Sequence, residues 1–185
     1  PNYWFDMLGP LSNHLYEVHI ATAIQWGFDS NRIHYVPDVN AACLVSEAGE
    51  PGPWSKDFIS AEVLNSKFFN TLSTYWSFSL ENYFEKNDLS FDIVLITGNP
   101  FPVFDFARYA KSKWYAKTIL DYRDPFARNP RMNYSETVRE RIAYVEKGFN
   151  FQADKVLVVN QECSDLVVCD EKEKLEIIPN GYDER

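Results

Sequence analysis

The stretch Ile177-Ile178-Pro179-Asn180-Gly181-Tyr182-Asp183 decides the fold, because it has the pattern of a buried strand that leaves a parallel sheet. Two β-branched residues favour a strand, and proline ends it because proline cannot donate the next ladder hydrogen bond. Asn180 and Gly181 tolerate the positive φ of a tight turn. Only Glu184 and Arg185 follow, so we expect the chain to be cut at a domain boundary.

Upstream of this turn, short apolar runs alternate with longer amphipathic runs, which is typical of β-α-β units around a parallel sheet. The runs at 93–96, 117–120 and 156–159 are nearly continuous in apolar or β-branched residues, which favours strands covered on both faces. We therefore predict an α/β fold with a Rossmann-like, doubly wound, mainly parallel sheet and helices on both faces. The predicted strands are residues 17–23, 32–36, 92–97, 118–122, 155–159 and 175–178, and the predicted helices are residues 56–86, 103–113, 135–151 and 161–168.

The chain has 185 residues, which is within the usual size of one domain. We expect residues 1–178 to form that domain and residues 179–185 to begin an interdomain linker. A doubly wound sheet normally begins with a strand, and no strand pattern precedes Glu17. We therefore expect a first strand and a glycine-rich loop to precede Pro1.

The charge of the chain argues against a nucleic-acid partner. The formal net charge is −9, whereas binding to a phosphate backbone depends on clustered lysine and arginine. Arg123, Arg128 and Arg131 nevertheless form a local basic cluster, which is sufficient to attract a small polyanion such as a nucleotide.

Other common classes of site find little support. The three cysteines form no CxxC pair and share no ligand spacing with the histidines, so we expect buried reduced thiols in a reducing compartment and no zinc site. No apolar run approaches the roughly 20 residues that span a bilayer. GxGxxG, GxxxxGK[ST], GxSxG and HExxH are all absent, which disfavours dinucleotide, P-loop, hydrolase and zincin sites.

Polar residues follow the predicted strands, and ligands of open α/β sheets bind at the carboxyl ends of the strands. We expect these residues to line one edge and to bind substrate. They are Thr97 at the end of one strand with Gly98, Asn99 and Pro100 after it, Arg123 and Asp124 after the next strand, then Asn160, and finally Asn180 and Gly181.

Different residues of this set have different expected roles. Gly98 lets a ligand approach the backbone, and Pro100 starts a helix whose free N–H groups attract anions, although an ordinary strand-to-helix turn explains both residues equally well. Asn160 is most simply an N-cap. The alternating charges Glu136, Arg139, Glu140, Arg141, Glu146 and Lys147 are typical of a solvated helix face.

Arg123 and Asp124 are the predicted catalytic pair. Arg123 can hold a phosphate or a sugar hydroxyl, and Asp124 can orient an acceptor hydroxyl or remove its proton. The alternative is an internal bridge between arginine and aspartate that pins the turn, since charged groups at a strand end gain nothing from burial unless they are paired.

The order of four strand-plus-tip motifs resembles the N-terminal half of GT-B glycosyltransferases of the family 4 type, over about residues 91 to 183. The motifs are Phe91-Asp92-Ile93-Val94-Leu95-Ile96 with Asn99-Pro100, Ile119-Leu120-Asp121-Tyr122-Arg123-Asp124-Pro125, Ala153-Asp154-Lys155-Val156-Leu157-Val158-Val159, and the opening stretch. Many relatives carry a histidine near the position of Thr97, so the resemblance does not extend to a histidine-assisted step.

The resemblance implies an acceptor-binding domain of a retaining hexosyltransferase that moves a sugar from a nucleotide-sugar onto a glycan or lipid-linked acceptor. It implies that an absent C-terminal domain holds most of the donor, that no metal or other cofactor is needed, and that this domain alone is inactive. It further implies a cytoplasmic location, and it leaves peripheral contact with the inner membrane face open.

Two other functions remain open from the sequence. A non-catalytic binding or scaffold domain could present the aromatic residues Trp54, Phe68, Phe69, Trp76 and Phe78 to a protein partner. A nicotinamide-dependent epimerase or dehydrogenase ranks lower because the glycine fingerprint is missing.

Overall fold

The computed structural model describes residues 19–22, 32–36, 76–98 and 101–181. The chain divides into two compact units, Pro1–Asp38 and Val39–Arg185. The first unit contains a parallel pair of strands, β1 (Ile20–Thr22) and β2 (Ile33–Tyr35). Both lie within the predicted strands 17–23 and 32–36.

The second unit is built on a four-stranded parallel sheet in which the strands follow the order of the chain. The strands are β3 (Ile93–Thr97), β4 (Lys117–Tyr122), β5 (Lys155–Val158) and β6 (Leu175–Ile177). Helices pack around the sheet, so the predicted α/β, Rossmann-like fold is confirmed.

The described helices of this unit are α1 (Trp76–Lys86), α2 (Phe106–Trp114), α3 (Glu136–Gln152) and α4 (Gln161–Leu166). Ser135 starts α3, because its hydroxyl accepts a hydrogen bond from the N–H of Val138 at 3.4 Å. The predicted helix 103–113 begins differently: Phe101–Asp105 is a 3-10 turn in which all five residues are buried. Residues 56–75 of the longest predicted helix lie outside the described residues.

One face of the sheet carries the core. Leu120, Tyr122, Val156 and Val158 are at most 1% exposed, and they alternate along β4 and β5 as side chains on one face must. The other face is less covered, because Ile119 and Leu157 are half-buried and Leu95 is exposed. Ile93 is exposed as well, so the prediction that the strand at residues 93–96 is covered on both faces is wrong. Cys163 and Cys169 are buried free thiols, as predicted, and Cys43 lies outside the described residues.

An aromatic layer covers the carboxyl half of β4. The ring of Phe104 lies 4.8 Å from that of Tyr122, and Phe101 stacks on Phe126 at 4.7 Å with the rings 15° apart. Gly98 lies directly against this layer. A Cβ atom at position 98 would be 2.5 Å from Cζ of Phe104 and 2.8 Å from Cδ1 of Phe101. The absence of a side chain at Gly98 therefore makes room for the two rings.

Two further predictions about exposure are wrong. Ile177 and Ile178, predicted to belong to a buried strand, are 44% and 54% exposed, because β6 is the last strand in the described sheet and has one described neighbour. Glu146, predicted to lie on a solvated helix face, is 0% exposed. Its sequence neighbours alternate in charge, but its own side chain points to the interior beside Val145 and Phe149, which are also buried.

No helix among the described residues is both long enough and apolar enough to traverse a bilayer.

We expect Gly98→Ala to lower the free energy of unfolding by about 1–3 kcal/mol, because the new methyl group overlaps two buried rings. Gly148→Ala is the matched control. Gly148 is an exposed residue of α3 with no atom within 4 Å of the added Cβ, so alanine there should be neutral or stabilising by up to about 1 kcal/mol. Urea unfolding of both variants measures the difference, and equal effects would contradict the packing role of Gly98.

Candidate functional site

The carboxylate of Asp121 joins the ends of two neighbouring strands. Thr97 and Asp121 are register partners at the carboxyl ends of β3 and β4. The hydroxyl of Thr97 donates to Oδ2 of Asp121 at 3.2 Å, and Nε of Arg123 donates to the same oxygen at 3.0 Å. Asp121 is 8% exposed, so this arrangement satisfies a carboxylate that would otherwise be costly to bury.

Arg123 connects this pair to the turn after β6. The N–H of Ile178 donates to the carbonyl of Val158 at 2.9 Å and so continues the ladder to the edge of the sheet. The turn then places Oδ1 of Asn180 where Nη1 of Arg123 donates to it. We call Thr97, Asp121, Arg123 and Asn180 the Arg123 cluster.

Asp124, the predicted catalytic carboxylate, is held separately. Its Oδ1 lies 3.7 Å from Nη1 of Arg131, and the two side chains are 43% and 82% exposed. The alternative predicted from the sequence, a bridge between arginine and aspartate, does exist for Arg123, but its partner is Asp121, two residues earlier in the chain. Asp124 is left accessible beside the cluster.

The other predicted substrate-binding residues differ in their structural surroundings. The N–H of Gly98 donates to the carbonyl of Asp121 at 2.9 Å, and its Cα faces the aromatic layer, so packing explains this glycine without a ligand. Asn99 and Pro100 lie outside the described residues. Gly181 is exposed, with open space where a side chain would begin.

Asn160 is a helix cap. Its Oδ1 accepts the N–H of Cys163 at 2.8 Å, and its backbone is extended, as in an N-cap residue. This confirms the simpler of its predicted roles. Asn160 follows β5 and therefore lies at the same edge as the Arg123 cluster, because carboxyl ends of parallel strands share an edge.

Asp121 was not among the predicted site residues, because it lies one residue before the end of its predicted strand. The signal that could have revealed it is the spacing to Arg123: side chains two residues apart in an extended segment lie on the same side. An acid and a base at that spacing at the end of a strand indicate an ion pair.

A second polar network lies beneath the loop that follows β4. Oε2 of Glu146 accepts the backbone N–H of Ala127 at 3.0 Å. One turn later in α3, Oδ1 of Asn150 accepts the hydroxyl of Tyr122 at 3.0 Å, and its amide donates to the carbonyl of Val168 at 2.9 Å. Glu146, Asn150 and Tyr122 are each at most 1% exposed. Helix α3 thus holds both the end of β4 and the loop that leaves it.

Burial raises the pKa of Glu146 from 4.5 to about 7. Desolvation disfavours the charged form, and the nearby backbone N–H groups of Ala127, Val168 and Phe126 and the charge of Arg128 offset part of this effect. Oε1 of Glu146 has no hydrogen-bond partner among the described residues. The carboxyl group therefore changes its protonation state near neutral pH although it is sealed from water.

Two further carboxyl groups with raised pKa values lie away from the cluster. Burial raises the pKa of Glu81 to about 7 and also raises that of Asp105, while the charge of Arg108 opposes both shifts. Nη2 of Arg108 lies 3.5 Å from a carboxylate oxygen of each. This set ties α1 to the start of α2, and structural ion pairs of this kind also perturb pKa values.

A groove of about 380 Å³ lies on the helical layer. Tyr144, Gly148 and Phe151 of α3 and residues 169–171 form most of its wall. It shares no residue with the Arg123 cluster, so it does not extend the candidate site. Within the described ranges, no three His, Cys, Asp or Glu side chains are grouped as a metal site requires.

Part of the aromatic set predicted for a partner surface can be located. Trp76 and Phe78 are half-buried, and Trp54, Phe68 and Phe69 lie outside the described residues. The exposed aromatic residues of the described part are instead Tyr35, Tyr115, Tyr144 and Phe151.

The cluster is suited to binding an oxyanion or a sugar hydroxyl. A guanidinium group is a planar donor for carboxylates, phosphates and hydroxyl groups, and Arg123 is fixed through Nε and Nη1 while its side chain remains 28% exposed. Asp124, at the next position, can accept a hydrogen bond from a hydroxyl group of the same ligand. No protein-family model matches the chain, and no curated protein matches its sequence.

The buried carboxyl of Glu146 predicts a pH dependence of stability. Its pKa is higher in the folded state, so its favourable contribution is fully present below about pH 4.5 and is lost as pH rises through about 7. Over this window, we expect the wild type to lose on the order of 3 kcal/mol of unfolding free energy relative to Glu146→Gln, which cannot ionise.

Denaturant unfolding at pH values from 4.5 to 8 measures this difference. Glu140→Gln removes one carboxylate from an exposed position of the same helix, and its profile should run parallel to that of the wild type. A constant difference between wild type and Glu146→Gln across the window would contradict the assigned shift.

Proposed function

We propose that this chain is the acceptor-binding domain of a retaining glycosyltransferase of GT-B architecture. The enzyme would transfer a sugar from a nucleotide-sugar to a glycan or lipid-linked acceptor, with a second domain holding most of the donor. The observation that carries the proposal is the Arg123 cluster, in which residues from the ends of β3, β4 and β6 meet at the carboxyl edge of a parallel sheet.

The position of the cluster supports this proposal. Three of its members, Thr97, Arg123 and Asn180, were selected from the sequence because they lie at or just after the carboxyl ends of predicted strands, and Asp121 joins the first two. Ligands of open α/β sheets bind at this edge. The tips of the same strands carry the resemblance to family 4 enzymes, so the motif and the geometry indicate the same edge of the sheet.

The chemistry proposed for the cluster is electrostatic. A cation held by two partners before the ligand arrives requires little reorganisation when charge develops on a leaving diphosphate or on a sugar hydroxyl. Asp121 and Asn180 give Arg123 this fixed geometry. Asp124 would orient the acceptor hydroxyl and accept its proton, with binding of the acceptor supplying the proximity that transfer requires.

Asn180 gives the cluster a second role in this proposal. It belongs to the Pro179-Asn180-Gly181 turn, which the resemblance identifies as the start of the crossing to the second domain. Its contact with Arg123 would connect the acceptor site to that crossing. A change in the orientation of the second domain would then move Asn180 and so change the position of the Arg123 guanidinium group.

The experiment is a transfer assay on the full-length protein with a panel of nucleotide-sugars and both glycan and lipid-linked acceptors. We expect consumption of one donor with release of its nucleotide and retention of the anomeric configuration. Absence of both transfer and donor hydrolysis across the panel would contradict the proposal.

We expect Arg123→Ala to lower kcat/KM by about 100-fold or more, because it removes a fixed charge from the site. Lys113→Ala is the control. Lys113 also forms an ion pair, with Glu85 at 3.6 Å, but both side chains are more than half exposed and outside the cluster, so its activity should stay within about twofold of the wild type. Equal activity of Arg123→Ala and wild type would remove Arg123 from the site.

A further inference from the structure

We infer that Glu146 is a positioning residue for the loop that carries Arg123 and Asp124, and that it acts through the backbone N–H of Ala127. The inference rests on the proposed function only in taking this loop to bind substrate. The test measures the order of the loop directly and needs no substrate, so it can fail or succeed independently of the transfer assay.

A single hydrogen bond connects Glu146 to the loop of the candidate site. The chain leaves β4 after Tyr122, so the N–H groups of the following loop have no place in the sheet ladder. Ala127 is 0% exposed, and its N–H would be unpaired without the carboxylate oxygen of Glu146 at 3.0 Å. This bond fixes the loop four residues after Arg123.

The next residue toward the cluster is held by packing. Phe126 is 1% exposed and stacks on Phe101 at 4.7 Å, with the rings 15° apart. The stacking holds the loop against the aromatic layer, and the hydrogen bond from Ala127 to Glu146 holds it against α3. Arg123 and Asp124 therefore lie on a short segment that is anchored by β4 at one end and by Phe126 and Ala127 at the other.

A purely structural role for Glu146 explains the carboxyl group poorly. An apolar side chain of similar size would fill the protein interior beside α3. It would avoid the cost of burying a carboxyl group that has one oxygen without a hydrogen-bond partner. What an apolar side chain cannot do is accept the N–H of Ala127. The buried acceptor is therefore best explained by the loop that it holds.

Asn150 provides a matched control in the same helix. It is as buried as Glu146, lies one turn later and makes two hydrogen bonds, but its partners are the hydroxyl of Tyr122 and the carbonyl of Val168. We expect removal of either side chain to destabilise the fold, because it leaves a buried polar partner unpaired. Only removal of Glu146 should loosen the loop.

The test is amide hydrogen exchange and NMR on the isotopically labelled protein, comparing Glu146→Ala, Glu146→Gln and Asn150→Ala with the wild type. In Glu146→Ala we expect the Ala127 amide to exchange at least about tenfold faster relative to the amides of β4 and β5, and the Nε–H signal of Arg123 to shift. Glu146→Gln retains a side-chain acceptor and should restore both readouts.

Two results would overturn the inference. One is a Glu146→Ala variant whose Ala127 exchange and Arg123 signal match the wild type. The other is an Asn150→Ala variant that changes both to the same extent, since the effect would then reflect general loss of stability. Should Glu146→Ala fail to fold, Glu146→Asp replaces it: the shorter side chain withdraws the acceptor from Ala127, and the same changes are expected.

Discussion

The hydrogen bonds to the carboxylate of Asp121 are the interaction on which the candidate site depends. Parallel register brings Thr97 beside Asp121, and the two-residue spacing of an extended chain brings Arg123 to the same side. One oxygen atom thereby ties two strands and a cation together. Without this carboxylate, Arg123 would lose its fixed orientation, and Asn180 would contact a mobile side chain in place of a held one.

A second constraint on the loop after β4 comes from helix α3. Helix α3 has two fully buried polar residues, Glu146 and Asn150, whose hydrogen-bond partners lie at the end of β4, in the loop that follows it, and in the segment after α4. Such polar groups inside a core are satisfied only in one arrangement of the surrounding backbone. They therefore specify the position of the loop more strictly than apolar packing alone would, and the site is supported from both the sheet and the helix.

The aromatic layer explains why a glycine follows β3. Phe101 and Phe104 pack over Tyr122, and Phe126 stacks on Phe101. The rings of Phe101 and Phe104 occupy the space that a side chain at position 98 would need. From the sequence, Gly98 is equally well explained by a ligand that approaches the backbone. Both explanations require a missing side chain, and only the position of the rings distinguishes them. The same layer fixes Phe126 and so helps to hold the loop that carries Arg123.

The sequence by itself determined the strands β3 to β6, the parallel sheet, the cap at Asn160, and the edge at which polar residues gather. These features depend on local periodicity, on proline and on capping chemistry, which are properties of neighbouring residues. Only the tertiary structure decided that Asp121 holds Arg123, that Glu146 is buried, and that Ile177 and Ile178 are exposed. Those outcomes depend on which distant segment of the chain packs against each side chain. The local sequence pattern does not specify these long-range contacts.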